Sequence, residues 1–213
     1  FSKIMGAKLP GNSPLHGYGI YLIAGLTPWI AFTNTIARTS TLFVDKKHLI
    51  TKIRLSLPTL PLTVVLSETI TFIITMGFYI GFLLITGSPI YKTIILLPFI
   101  YMAQQILAYS LGFLVAILHV FIRDLKEVVG ITIFVWFWAN PIVYVKDILP
   151  EFMQKLLVFN PTYWFIDAYQ AIFIFNRMPD FNLLFYLVFL GHFILLLSYI
   201  LFKKLEKDVR DFL

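Results

Sequence analysis

Long uncharged apolar runs alternate with short polar or charged stretches along this chain. Residues 19–37, 60–87, 93–121, 128–145 and 182–202 are each apolar-dominated. Each holds at least about 18 such residues, which at 1.5 Å per residue approaches a hydrocarbon core of about 30 Å. They read as five transmembrane helices, which would leave the two chain ends on opposite sides. Residues 1–18 are polar and turn-rich around Pro10-Gly11-Asn12-Ser13-Pro14 and read as a loop. Residues 38–58 mix Asp45, Lys46, Lys47, His48, Lys52 and Arg54 with Leu42, Leu49, Ile50 and Ile53 at helical spacing, predicting a short amphipathic helix at the membrane surface.

The stretch 119–170 changes character within itself. A charged cluster at 123–127 leads into the aromatic run 128–145, which breaks at Asn140-Pro141, and a second break follows at Asn160-Pro161. Residues 147–159 and 162–175 then read as two short helices that enter the membrane and return. Irregular backbone at membrane depth must be shielded by protein or water, so such a stretch lines a pathway or covers its mouth.

Composition turns this pattern into a class. Of 213 residues, 59% are hydrophobic and 13% charged, with mean hydropathy +0.86, where a soluble domain carries roughly 25% charge. The chain is an all-α polytopic membrane protein, one transmembrane domain over 1–213. Its net charge of +6 comes from Lys and Arg set between apolar runs rather than along one face, which argues against nucleic acid as a partner. The absence of cysteine excludes disulfides, thiolate metal sites and a cysteine nucleophile. No Gly-rich phosphate loop, H-E-x-x-H or Gly-x-Ser-x-Gly occurs, so no cofactor and no catalysis are expected in this chain.

Charge also orients it. Arg38, Lys46, Lys47, Lys52, Arg54, Arg123, Lys126, Lys203, Lys204, Lys207 and Arg210 share one side, against Lys3, Lys8, Lys92, Lys146, Lys155 and Arg177 on the other. The positive-inside rule makes the first side cytoplasmic, with the tail 203–213 inside and 1–18 outside. Residue 1 is Phe, and no signal segment precedes the first run; the expectation is a six-span parent whose first span lies upstream.

Aromatic residues concentrate in the fourth run at Phe134, Trp136, Phe137 and Trp138, then Tyr144. Phe134, Phe137 or Trp138, and Tyr144, with Trp29 from the first run, are candidates for lining a pathway, and lipid-facing or core packing is the alternative. Flat ring faces suit the C–H faces of sugars. Glu68, a carboxylate inside a span, is expected to pair with Arg38 or Arg123, and Gln104 and Gln105 to bond between helices.

Phe121-Ile122-Arg123-Asp124, Asn140-Pro141-Ile142-Val143-Tyr144, Leu149-Pro150, Asn160-Pro161 and Tyr169 follow a basic amphipathic segment in a characteristic order. In that order the chain resembles type 2 ATP-binding-cassette exporter permeases, and within them the O-antigen polysaccharide exporters, with teichoic acid exporters near. The resemblance covers nearly the whole chain. It implies a bacterial inner-membrane homodimer of six-span subunits moving a lipid-linked polysaccharide, with two copies of a separate ATPase that bind ATP and Mg. Residues 38–58 would be the coupling helix, with Asp45, Lys46, Lys47, Lys52 and Arg54 facing the ATPase and Arg123 and Asp124 a second contact. The competing reading of the same basic segment, from its charge alone, is an anchor on anionic lipid headgroups. The short helices within 146–181 would be periplasmic gate helices, hinged at Asn140, Pro141, Asn160 and Pro161. This chain has Tyr169-Gln170 where the family often has Tyr-Arg. A drug exporter of the same class, or a lipid-modifying membrane enzyme, are the competing functions; the second needs clustered acid, base or metal residues that the sequence lacks.

Overall fold

A computed structural model describes residues 17–52 and 56–212. Most of the predicted loop 1–18, together with Ile53 and Arg54, lies outside the described residues. Eight α-helices follow in order: α1 Gly17–Asp45, α2 Lys47–Lys52, α3 Leu60–Ile85, α4 Leu97–His119, α5 Leu125–Trp138, α6 Glu151–Leu157, α7 Pro161–Phe173 and α8 Phe181–Phe212. The described residues contain no strand. Four stretches among them are long and apolar enough to cross a membrane: Gly17–Asp45, Leu57–Ile85, Lys92–His119 and Phe181–Phe212.

The fourth predicted crossing is shorter than its apolar run. α5 has 14 residues, about 21 Å of helix, and ends where Asn140 takes its own helix's carbonyl: Asn140 Nδ2 donates to Trp136 O at 2.6 Å. A side chain competing for backbone in this way, followed by Pro141, turns the chain out of the helix. Residues 139–145 therefore form turns rather than the last two turns of a span.

Two other helices run further than predicted. α1 continues through Arg38 to Asp45, so the short amphipathic helix expected within 38–58 is confined to the six-residue α2. The continuation is explained by burial: Thr39, Ser40, Leu42 and Phe43 all turn inward, and Gly112 lets α1 approach, since a Cβ there would stand 2.7 Å from Thr39 Cβ. α8 likewise carries the charged tail as helix to Phe212. Val209 and Phe202 supply its buried stripe, while at the edge of that stripe Glu206 meets Lys203 at 3.2 Å and Arg210 at 3.4 Å.

α1 is the central helix, with 56% of its apolar window buried against 28% and 22% for the crossings of α3 and α8. Its long contact partner is α4, which packs as extensively on α8. At that second crossing Gly191 removes a Cβ that would lie 2.9 Å from Ile106 Cγ2 and 3.1 Å from the Leu107 nitrogen. α3 ends in a Schellman turn. Gly87, at φ +66, lets Ser88 N reach Leu83 O at 2.9 Å and Gly87 N reach Leu84 O at 3.2 Å.

Several polar groups between these helices find partners, although Gln104 Oε1 and Gln105 Nε2 are buried without one. Glu68, 4% exposed, forms an ion pair with Arg38, and Asn34 Nδ2 approaches the same carboxylate at 3.5 Å. Gln104 Nε2 donates to Pro28 O at 2.8 Å, and Thr35 Oγ1 to Gln105 Oε1 at 3.0 Å. The expected ion pair and the interhelical amide bonds are thus both present.

Candidate functional site

The two Asn-Pro breaks meet in space. Asn160 is the N-cap of α7, with Pro161 at the first helical position, a combination that starts helices well because the cap accepts an unpaired N–H and proline has none to satisfy. Its Oδ1 accepts from Thr162 N at 3.2 Å, from Thr162 Oγ1 at 2.7 Å and from Trp136 Nε1 at 2.9 Å. Its Nδ2 donates to Asn140 Oδ1 at 3.0 Å and to Ala139 O at 3.2 Å. Thr162 Oγ1 lies 2.8 Å from Asn140 Oδ1 as well, so its one proton is shared between two amide oxygens. The end of α5 and the start of α7 are tied by one knot of side chains.

From that knot the chain 141–145 is strapped to the first turns of α1. Tyr21 Oη donates to Pro141 O at 2.8 Å, with Tyr144 O at 3.0 Å, and Tyr18 Oη donates to Val143 O at 2.8 Å. Gln170 Nε2 also donates to Pro141 O, at 2.9 Å. Gly25 makes room for that amide, since a Cβ there would come within 3.3 Å of it. The Gln of Tyr169-Gln170 is therefore a buried neutral donor that holds the turn after α5.

Aromatic residues surround the knot in two sets. Trp29 is 4% exposed and sits among Phe32, Trp136 and Phe137 at ring-centroid distances of 6.3, 6.3 and 5.9 Å. Phe32 also contacts Phe165 of α7 at 5.1 Å. These rings join α1, α5 and α7. Phe134 and Trp138, by contrast, are 66% and 55% exposed. They share the opposite face of α5 four residues apart, and Tyr144 reaches back to donate to Trp138 O at 3.0 Å. Because α5 stops at Trp138, Tyr144 lies beyond the helix and does not share a helical face with Phe134. Trp136, Trp138, Tyr144, Met153, Phe159 and Asn160 line an open groove of about 490 Å³ between α5 and α6. Thr162, Phe32 and Phe165 were missed from sequence. Thr162 was readable in principle, as the residue that follows an Asn-Pro helix start.

The remaining predicted residues lie at the other end of the bundle. Asp45, Lys47 and Arg123 line one cavity of about 540 Å³, with His119, Lys126, Glu127 and Phe212 among the other walls. Lys46 is exposed at the turn between α1 and α2, where its carbonyl accepts from Ile50 N at 3.0 Å. Lys52 closes α2, and Asp124 is an exposed N-cap residue of α5 without a capping bond. α2 itself is seated by Ile50, which belongs to an apolar cluster with Phe43, Leu57, Phe113, Phe202 and Val209.

A charge cluster near the α7 end had not been singled out. Arg177 Nη2 lies 2.7 Å from Asp167 Oδ2, Tyr163 Oη 3.4 Å from Asp167 Oδ1, and Lys146 Nζ 3.1 Å from Tyr163 Oη. Burial pushes the Tyr163 phenol above its ordinary range, Asp167 adds to that, and Lys146 opposes it. Tyr163 is accordingly a neutral donor at physiological pH.

Residues 3–174 match the model of the ABC-2 type transporter family. The chain belongs to that family. Among curated ABC-2 relatives, it is 28% identical over 182 residues to the O-antigen export system permease protein RfbA of Myxococcus xanthus, covering 84% of this chain and 68% of that protein. It is 26% identical over 207 residues to the protein of the same name from Klebsiella pneumoniae, covering 97% and 77% respectively. The multi-pass helical bundle is the membrane part of an ABC transporter, and the groove, the knot and the charged end are its candidate working parts.

Proposed function

We propose that this chain is the membrane-spanning subunit of an exporter that moves a lipid-linked polysaccharide of the O-antigen type across the bacterial inner membrane. The relatives' printed names support that substrate class along nearly the whole chain. The observation that carries it into chemistry is the groove beside the Asn140–Asn160 knot. Its walls are exposed Trp138 and Phe159 and half-buried Tyr144, with no charged residue among them, and their ring faces offer sugar C–H faces sliding contact without tight binding. A polymer that must keep moving needs contacts of that kind.

In this reading two copies of the chain place their α5 grooves toward a common axis. Two copies of a separate ATPase, which bind ATP and Mg, dock on α2 and the 123–127 loop at the charged end, and the C-terminus is cytoplasmic. ATP binding draws the ATPases together and displaces α2. The apolar cluster under Ile50 passes the displacement to α1, α4 and α8, and α6 and α7, hinged at the knot, open the outer mouth.

The test is complementation. A strain deleted for its own O-antigen permease gene, carrying this chain with its partner ATPase, should regain surface polysaccharide on immunoblots, and the two proteins should co-purify. Surface polysaccharide absent despite co-purification would overturn the substrate assignment; failure to co-purify would overturn the partner.

A further inference from the structure

α6 is a wall between two different spaces. Met153, Leu156 and Leu157 face the aromatic groove, while Gln154 faces a second cavity of about 430 Å³ that shares no wall residue with it. That second cavity lies between the start of α1, the strap at 141–147 and α7. Its charged walls are Lys146, Asp147, Asp167 and Arg177, whose charges cancel.

We propose that this cavity is a sugar-binding subsite, a polar station on the far side of α6 from the aromatic groove. The inference rests on the polysaccharide-export reading. Charge balance selects the ligand class: an anion site would need excess Lys and Arg, a cation site excess carboxylate, and neither is present. Neutral polyols instead need donors and acceptors side by side. The row Lys146, Tyr163, Asp167, Arg177 supplies them in alternation, at 3.1, 3.4 and 2.7 Å between neighbours. A carboxylate and a guanidinium each present paired atoms that match the vicinal hydroxyls of a sugar ring. Tyr21, Tyr163 and Phe175 contribute ring walls. The volume falls within the ~300–1,000 Å³ of small-molecule sites, enough for a short run of sugar units.

The arrangement is built rather than incidental. Asn176 adopts a left-handed conformation at φ 46, which turns the chain so that Arg177 N donates to Ala171 O at 3.0 Å. That turn brings the guanidinium back over Asp167, with the Arg177 side chain 56% exposed and part of the cavity wall. A pair needed only to staple the end of α7 would serve equally well with its charges exchanged. A ligand site would not, because exchanging them moves the acceptor and the donor to each other's places.

The experiment uses the full permease–ATPase complex in nanodiscs and the complemented deletion strain. The probe is soluble polysaccharide released by mild acid from that strain's surface. Wild type should bind it, and Asp167→Asn and Arg177→Gln should each weaken binding about tenfold, the usual cost of one charge-assisted pair. Both should lower surface polysaccharide while ATPase co-purification is retained. The exchanged double variant, Asp167→Arg with Arg177→Asp, should remain defective in binding and export. Restoration of export by the exchange, or unchanged binding in the single variants, would overturn the subsite. Failure of the wild-type chain to restore export would instead strike the transport reading, and is recognisable because it does not involve the variants.

Discussion

The two ends of this bundle are held together by different physics. At the charged end, long helices run on past their apolar stretches and close on an apolar cluster of Phe43, Ile50, Leu57, Phe202 and Val209. At the aromatic end, short helices are tied by directional bonds among Asn140, Asn160, Thr162 and Trp136. Apolar contact is additive and tolerant of small shifts, whereas a buried polar network is satisfied in one arrangement and costly in others. The first suits an element that receives a push, the second a joint with discrete positions.

Breaking the joint should have the largest effect. Asn160→Ala removes the α7 cap, leaves Trp136 Nε1 without a partner and takes one of two donors from Asn140 Oδ1, at a cost of about 3 kcal/mol. Thermal unfolding in detergent should show it as the largest shift among these variants, with a change in tryptophan emission. An unchanged midpoint would mean that water replaces the whole knot.

Breaking the opposite end should cost somewhat less and stay local. Val209→Asp places a charge in the apolar cluster, at about 2 kcal/mol, because α2 can lift away rather than bury it. Trypsin should then cut faster at Lys46 and Lys47 while tryptophan emission stays as in wild type. If emission changes too, the two ends are not independent. Glu68→Ala tests the span between them: Arg38 loses its partner, yet its side chain is 52% exposed, so about 1–2 kcal/mol is expected rather than the full cost of an isolated buried charge. Arg38→Gln combined with Glu68→Gln should recover part of the loss, as read by the unfolding midpoint. Smallest in stability, and the sharpest separation of function from fold, are Phe134→Ala and Trp138→Ala. These exposed rings should each cost well under about 1 kcal/mol, yet lower surface polysaccharide in the complementation assay.

Much of this architecture could be read from the chain because its signals were local. Apolar runs gave α3, α4 and α8, Asn-Pro marked both breaks, and a carboxylate within a span called for a basic partner, Arg38 or Arg123, of which the structure takes Arg38. Misreadings arose where a distant neighbour decides the outcome. Charge at Arg38 and Lys203 looked like the end of a helix, but Phe43 and Val209 find apolar partners on other helices, so the helices continue. The run to Val145 looked like a full crossing because hydropathy does not register Asn140 capturing the Trp136 carbonyl. The division of the aromatic residues into interior Trp29 and Phe137 and exposed Phe134 and Trp138 depends on where α1 lies against α5, which no spacing within α5 reveals. Asp167 and Arg177, ten residues apart, are joined only because Asn176 reverses the chain.

The two glycine crossings on α4 have a kinematic consequence. With Thr39 seated against Gly112 and Gly191 against Ile106, neither α1 nor α8 has clearance to slide along α4. The three helices travel as one plank, so a tilt imposed at one end arrives at the other as a swing of the same angle. The parts left to yield are the thin ones: α5, the strap from Pro141 to Val145, α6 and α7.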